Sequence, residues 1–106
     1  LRWINASTGG TISLISVQEI CYFQADTKYT SVVTPNSEAL IRKTIRELTE
    51  ELDPNLFWKI HRSTLVNVNS IAGVTRDARG HLHVRLKLRP ERLPVSESCA
   101  QLFRQM

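Results

Sequence analysis

Cysteine is scarce in this chain, and none of its apolar runs is long. The two cysteines, Cys21 and Cys99, have a spacing that suggests neither a zinc site nor a redox pair. We interpret them as two buried, reduced thiols, which is typical of a cytoplasmic protein. The apolar runs are far too short to cross a bilayer, and no secretory signal pattern opens the chain. These features argue against a zinc protein, a membrane protein and a secreted one.

Composition places the chain among ordinary folded domains and leaves its partner open. The length of 106 residues suits one domain, and 42% hydrophobic with 23% charged residues is neither disordered nor membrane-like. The net charge of +4 permits an acidic partner, nucleic acid included, without requiring one. Because the chain begins at Leu1 rather than methionine, we expect residues 1–106 to be a single domain of a longer protein.

The first part of the chain is predicted to form short strands joined by tight turns. LRWINA and TISLI flank STGG, whose two glycines can supply the positive φ angles of a hairpin turn. EICYFQAD and YTSVVT are rich in aromatic and β-branched residues, which favours two strands around a short polar DTK connection. A turn at TPNSE then leads into a short strand, ALI.

The pattern changes to helical spacing in KTIRELTEELDP. Ile45, Leu48 and Leu52 recur on one helical face. Thr44 and Glu47 are spaced as a capping box, in which each side chain accepts a hydrogen bond from the other's backbone amide. The sequence therefore predicts a short amphipathic helix that ends before Pro54.

Strands resume after this helix and continue almost to the end of the chain. FWKI, TLVNV and IAGVTRD are predicted strands, and RLPV is predicted to be a short edge strand because of its proline. In HLHVRLKL the residues alternate between apolar and polar, so Leu82, Val84, Leu86 and Leu88 are predicted to share one face. DARGH between the last two long strands is a turn signal.

The final segment, SESCAQLFRQM, is predicted to be a helix. Ser96 suits its N-cap, and Cys99, Leu102, Phe103 and Met106 would form one apolar stripe. The sum is a mainly β fold of small antiparallel sheets, with one short mid-chain helix and a C-terminal helix. A doubly wound parallel sheet is excluded, because the alternating helical crossovers that it requires are missing.

Three patterns that resemble reactive sites are each incomplete. His61 and Ser63 would share a strand face, but no glycine elbow or oxyanion segment accompanies them. His81 and His83 lack a third metal ligand nearby, and STGGT lacks the lysine and the following helix of a phosphate loop. The sequence therefore argues against an enzyme and implies neither a metal nor a cofactor.

The motif F-x-x-I-H-R-S-x-x-V-N, which spans Phe57 to Asn67, resembles the LytTR family, the DNA-binding output domains of many bacterial response regulators. EICYFQADTKYTSV, IRKTIRELTEEL and RLPVS resemble the same family in the expected order, so the likeness covers nearly the whole chain. The resemblance implies an elongated, mainly β domain that reads DNA through inter-strand loops, with a receiver or sensor domain upstream. It also implies double-stranded DNA as the partner, with two copies on an imperfect direct repeat and a homodimer formed through the upstream domain.

The resemblance implies three DNA-contact regions. In the first, Thr30 matches the family's base reader and Lys28 would contact phosphate. In the second, Arg62 would reach guanine or phosphate. In the third, backbone amides at the start of the last helix would hold a phosphate. The regions consist of Thr27, Lys28, Tyr29 and Thr30; then His61, Arg62 and Ser63; then Ser96, Glu97 and Ser98.

The chain departs from the family pattern at Glu97, where many relatives carry arginine. A carboxylate can accept a hydrogen bond from cytosine but is repelled by phosphate, so the third region is in doubt. Further candidates for phosphate contacts are Arg42, Lys43, Arg89 and Arg92.

Alternatives remain open for several of these residues. His61, Ser63 and Asn67 would also suit a tight corner in which they satisfy backbone groups, and Tyr29 would also suit a core. For the whole domain, the alternative is a protein-interaction or ligand-responsive β module that keeps the fold without binding DNA.

Overall fold

The computed structural model describes residues 1–104, which form two antiparallel sheets, one α-helix and three short 3-10 helices. The larger sheet has seven strands in the order β2-β1-β5-β4-β3-β7-β6, and the smaller sheet has three in the order β10-β9-β8. The strands of the larger sheet are β1 (Trp3–Thr8), β2 (Thr11–Ser16), β3 (Tyr22–Ala25), β4 (Thr30–Val33), β5 (Glu38–Ile41), β6 (Phe57–His61) and β7 (Thr64–Asn67). Those of the smaller sheet are β8 (Ile71–Arg76), β9 (Leu82–Leu86) and β10 (Arg92–Pro94). The helix α1 spans Ile45–Glu51, and the 3-10 helices span Val17–Glu19, Val68–Ser70 and Glu97–Phe103.

The predicted mainly β architecture and its elongated shape are confirmed. The domain measures 41 × 27 × 25 Å along its principal axes. The first hairpin turns at Gly9 and Gly10, whose φ angles of 53° and 84° are the pair that a two-residue turn between antiparallel strands requires. Side chains with a Cβ are strained at such angles, which explains the choice of glycine at both positions.

The predicted mid-chain helix and its capping box are also confirmed. The backbone amide of Glu47 donates to the Thr44 hydroxyl at 3.1 Å, and the amide of Thr44 donates to the Glu47 carboxylate at 3.1 Å. Ile45, Leu48 and Leu52 are buried against the larger sheet. The helix is therefore held by its apolar stripe, with few polar groups of its own buried.

The larger sheet separates two apolar clusters. On one face, α1 packs over side chains from most of the strands, among them Phe23 and Phe57, whose ring centroids lie 5.5 Å apart. On the other face, the smaller sheet covers β3, β4, β6 and β7, where Tyr22 and Val66 pack with Val84. This two-sided packing explains why residues along β3 and β7 are buried on both faces.

The predicted C-terminal helix is present and takes the 3-10 form. The segment Glu97–Phe103 is a 3-10 helix, and Met106 lies outside the described residues. Phe103 packs edge-on against Trp58 of β6, with ring centroids 5.6 Å apart. Cys99 and Phe103 pack against the second apolar cluster, whereas Leu102 is exposed. Contact with β6 therefore determines which side of this segment is buried, and Leu102 is left out of the predicted apolar stripe.

Two further burial predictions need correction. Leu88 is 68% exposed, because β9 ends at Leu86, beyond which neither neighbouring strand continues. Cys21 is buried as predicted, whereas Cys99 is only half-buried, and both thiols are free.

Candidate nucleic-acid interface

The turn between β6 and β7 is braced from inside and presents one cation. The ring nitrogen Nδ1 of His61 lies 2.9 Å from the Ser63 hydroxyl and accepts a hydrogen bond from the Ser63 backbone amide at 3.2 Å. Arg62 between them is exposed and forms neither a hydrogen bond nor an ion pair with any residue in the described range 1–104. His61 and Ser63 thus stabilise the corner, and Arg62 is its outward group.

The turn between β3 and β4 is held by Asp26. Its carboxylate accepts hydrogen bonds from the backbone amides of Lys28 and Tyr29, each at 2.8 Å. These amides, Tyr29 first, lower the pKa of Asp26 below its usual range. The Lys28 ammonium lies 5.5 Å from the centre of the Tyr29 ring. The carboxylate therefore shapes the turn, and Lys28 and Thr27 are left exposed at its tip.

Thr30 does not have the environment that a base-reading side chain needs. Its side chain is buried, at 3% exposure, and its hydroxyl donates to the backbone carbonyl of Lys43 at 2.7 Å. The role predicted for it by resemblance therefore conflicts with its position in this chain. Tyr29, for which a core position was the alternative, is half-buried and lines a surface hollow.

The segment that enters the C-terminal 3-10 helix is tied to β6. The Ser96 backbone amide donates to the carbonyl of Ile60 at 2.9 Å, and the Ser96 hydroxyl also approaches that carbonyl, at 3.4 Å. The Ser96 and Ser98 hydroxyls lie 3.3 Å apart. Ser96 makes no side-chain cap and the helix that follows is a short 3-10 segment, so the phosphate contact at its first amides stays a prediction. Glu97 and Ser98 are exposed there.

Two backbone hydrogen bonds join the three predicted regions into one edge. The amide of Ala25, beside the first region, donates to the Ser63 carbonyl in the second at 2.8 Å. The amide of Ser96, in the third, donates to Ile60 beside the second at 2.9 Å. The β6–β7 turn is therefore the centre of a continuous edge, which we call the turn edge and define as residues 26–30, 61–63 and 96–98.

A cationic hollow of about 660 Å³ lies between the first two regions. Lys28, Arg42, Arg46 and Arg62 all line it. Arg46 was missed at the level of sequence, where it reads as ordinary surface charge on the mid-chain helix; its side chain is 90% exposed. The sequence signal that could have found Arg46 is its position on the polar side of the first turn of α1, where a side chain is exposed.

The other predicted phosphate contacts have different surroundings. Lys43 pairs with Glu51 at 2.8 Å, and Arg89, which is only 17% exposed, pairs with Glu91 at 3.0 Å and Glu38 at 3.1 Å. Carboxylates already neutralise both cations, so they are poor candidates for DNA contacts. Arg42 lines the hollow, whereas Arg92 is exposed on β10 of the smaller sheet.

The described residues 1–104 include two further histidines whose surroundings do not amount to a metal site. The rings of His81 and His83 both approach Asp77, at 3.7 and 3.1 Å, but no group of three or more potential metal ligands is formed in this part of the chain. No helix among these residues is long and apolar enough to span a bilayer. Asn67, the last residue of the motif, is buried and bonds the Ile20 carbonyl and the Asn69 amide, which makes it structural.

Comparison with known proteins relates nearly the whole chain to one family. The LytTr DNA-binding domain model matches residues 10–106. An uncharacterized response regulatory protein of Vibrio cholerae is 42% identical over 106 residues, which cover 96% of this chain and 40% of that protein. The transcriptional regulatory protein YpdB of Escherichia coli is 31% identical over 103 residues, covering 97% and 42%. A solved LytTr DNA-binding domain of a Bacillus cereus response regulator superimposes with a TM-score of 0.88 at 25% identity, covering 97% of this chain and 94% of that one. The chain thus spans about 40% of the length of these two curated relatives.

Proposed function

Because this chain belongs to the LytTR family of DNA-binding domains, we propose that it binds double-stranded DNA sequence-specifically through its turn edge. In this proposal the domain is the output part of a longer bacterial transcriptional regulator, with a receiver or sensor domain upstream. Two copies would occupy one operator, arranged as a direct repeat. Neither a metal nor a cofactor is needed, since binding depends on side chains and backbone amides alone.

One observation carries the proposal. The two backbone hydrogen bonds from Ala25 to Ser63 and from Ser96 to Ile60 hold three turns, distant in sequence, on one edge of the domain. Side chains on turns fixed in this way keep their relative spacing, as successive contacts along a duplex require. The hollow between the first two turns adds Arg42 and Arg46 to the two cations, Lys28 and Arg62, that the edge already has.

We assign different roles to the groups on this edge. Arg62 would read guanine in the major groove, because it is exposed and its guanidinium fork can make two parallel hydrogen bonds. Lys28, Arg42 and Arg46 would contact phosphates. His61 would act as a positioning residue, since its ring braces the turn that carries Arg62.

The third region would contribute differently from the pattern in relatives. Glu97 is exposed and suits acceptance from the amino group of cytosine, while the Ser98 hydroxyl suits a phosphate. With a carboxylate in this position, the third region would contribute to sequence specificity more than to affinity.

The α-helix is unsuited to groove reading. Ile45, Leu48 and Leu52 hold one side of it against the sheet, and its seven residues make only about two turns. Only the polar side of its first turn, with Arg46, reaches the hollow. DNA contact would therefore depend on the inter-strand turns.

The test is a comparison of Arg62→Ala with Arg85→Ala on a duplex selected from a random library. Both variants lose one exposed arginine, but Arg85 lies on β9 of the smaller sheet, outside the turn edge. We expect Arg62→Ala to lose roughly 1–3 kcal/mol of binding free energy and to relax preference at one base pair, because a bidentate base contact is removed. Arg85→Ala should bind nearly as the parent does.

Each alternative gives a distinct result in this comparison. Equal weakening on all sequences with a shallower salt dependence would make Arg62 a phosphate contact, and unchanged binding would remove it from the interface. A parent domain whose affinity for any duplex shows no dependence on salt would contradict DNA binding, since the logarithm of the binding constant falls by about 0.9 per phosphate for each tenfold rise in salt. That outcome would favour a protein-interaction module.

A further inference from the structure

One face of the larger sheet is covered over only half of its width. Strands β3, β4, β6 and β7 lie under the smaller sheet, where Tyr22 and Val66 are buried. On the same face, Ser31 of β4 lies opposite Leu40 of β5, which in turn faces Ser7 of β1. Over β5, β1 and β2 no element of residues 1–104 forms a second layer, and we call this half the bare face.

The bare face is strongly apolar. Trp3, Ile12, Leu14 and Leu40 are exposed by 54%, 75%, 65% and 43%, and Leu1 beside them by 48%. They account for five of the seven exposed large hydrophobic residues in the described chain. A hollow of about 620 Å³ lies among them. A contiguous apolar patch of this kind marks an interaction surface, because water would otherwise contact it at a cost.

The two outer strands of the bare face contain no charge. Residues 3–18, which comprise β1, β2 and their turn, include no Asp, Glu, Lys, Arg or His, although 23% of the whole chain is charged. In a twofold contact a surface meets itself, so a charge near the axis would face its own copy and be repelled. The neutral outer strands avoid that repulsion, and charge is found at the β5 border of the face, where Glu38 shares a face with Leu40 and where Arg42 and Lys43 line the hollow.

The outer edge of β2 differs from the other sheet edges. Edge strands are normally protected by charge, proline, a bulge or a covering element. β6 contains Lys59 and is covered by the C-terminal 3-10 helix, β10 contains Pro94, and β8 has an irregular register and ends at Arg76. β2 pairs with β1 in an uninterrupted register and has none of these devices. Within residues 1–104 this edge is left unprotected.

We propose that the bare face packs against the bare face of a second copy of this chain. Two sheets stacked about 10 Å apart would bury Trp3, Ile12, Leu14 and Leu40 of both copies and would shield the β2 edge at the rim. Each copy would then cover the bare face of the other, as the smaller sheet covers the remaining half of the larger sheet. The turn edge takes no part in this contact, so the proposal stands or falls without DNA.

The experiment is sedimentation equilibrium of the free domain over a wide concentration range, without DNA. We expect a reversible dimer whose dissociation constant rises by about tenfold or more in Ile12→Lys and in Leu14→Lys, because a buried lysine without a partner is costly. The matched control is Leu88→Lys, which changes an equally exposed leucine outside the bare face and should dimerise as the parent does. Because these side chains are exposed in the monomer, all three variants should fold, which circular dichroism verifies.

Trp3 provides a second measurement that needs no destabilising variant. Its emission should shift to the blue and become less quenchable by acrylamide as the concentration rises, and Trp3→Phe should abolish that change while Trp58 remains packed on Phe103. A domain that stays monomeric with Trp3 fully quenchable would overturn the proposal. A dimer that forms equally well in Ile12→Lys would also overturn it. Protection of Trp3 only in a longer protein would overturn it too, because that result would assign the face to another domain.

Discussion

The histidine, arginine and serine at the β6–β7 corner have separable roles. His61 and Ser63 hydrogen-bond each other across the turn, so their polarity is explained by the backbone that they support. Arg62 has no such partner in the described chain, and an arginine that is always charged is stable there only if it remains solvated or meets an anion. The polar centre of this apolar segment is therefore a structural brace around one outward-facing arginine, which is the proposed contact residue.

Thr30→Val tests whether the buried threonine has a structural role. The substitution keeps the shape but removes the hydroxyl that donates to the Lys43 carbonyl. We expect the free energy of unfolding to fall by about 1 kcal/mol, as is usual for one lost hydrogen bond, with no change in base preference. Urea unfolding and binding to a library of duplexes measure the two effects. Altered preference at one base pair with unchanged stability would restore Thr30 as a base reader.

Arg46→Ala tests the contact residue that the sequence reading missed. Because Arg46 lies at the hollow and is 90% exposed, we expect weaker binding to all duplexes, with a salt dependence reduced by about one phosphate, and unchanged stability. Its i+4 ion pair with Glu50 is long, at 4.0 Å, and fully exposed pairs contribute little. Binding titrations at several salt concentrations, with Arg85→Ala as the control, measure this salt dependence. An equal salt dependence in both variants would exclude Arg46 as a phosphate contact.

At the scale of elements, α1 depends on its first turn and on one apolar side. The capping box satisfies two amides that a helix of seven residues could not otherwise pair. The turn at Asp26 follows the same logic, because a carboxylate accepts two amides there and organises the polar loop without glycine. Short polar side chains thus shape both the connection and the helix start that border the hollow.

Thr44→Ala tests the contribution of the cap. We expect the free energy of unfolding to fall by about 1 kcal/mol, because the amide of Glu47 loses its acceptor. Thr49→Ala is the matched control: Thr49 is exposed within the same helix, and alanine has the higher helix propensity there. Chemical denaturation followed by circular dichroism compares the two, and equal stabilities would mean that the cap contributes nothing.

At the scale of the whole molecule, a polar cluster joins the two sheets. The Tyr22 hydroxyl of the larger sheet donates to Glu91 at 2.6 Å, and Arg89 bridges Glu91 and Glu38. Burial and this hydrogen bond raise the pKa of Tyr22 well above its ordinary value. Burial pushes the pKa of Glu91 upward, but the hydrogen bonds from Tyr22 and Arg89 outweigh it, so the net direction is below its ordinary value of 4.5.

This cluster predicts a specific pH dependence of stability. Because the pKa of Glu91 is lower in the folded state than in the unfolded one, its contribution is present above pH 4.5 and is lost as the pH falls through the folded value. Glu91→Gln should therefore lose less stability than the parent between about pH 5 and pH 3. Denaturant unfolding at each pH gives the two curves, and parallel curves would show that Glu91 does not couple the sheets to pH.

The sequence by itself determined the local structure and the family. Four features depend only on residues close together in sequence: the period-two and helical patterns, the Gly9–Gly10 turn, the Thr44–Glu47 cap and the Phe57–Asn67 motif. From these the sequence alone could predict a mainly β domain related to LytTR proteins. Arg62, Lys28 and Asp26 lie on turns that the strand pattern already located. What the sequence could not determine depends on contacts between distant segments.

Only the tertiary structure decided which side of each element meets which neighbour. The inward hydroxyl of Thr30, the pairing of Arg89 with two glutamates and the 3-10 form of residues 97–103 all follow from groups far away along the chain. The same holds for the union of three turns into one edge and for the half of the large sheet that no layer covers. Periodicity tells which residues share a face, but burial is a property of the space between elements, and that space exists only once the chain has packed.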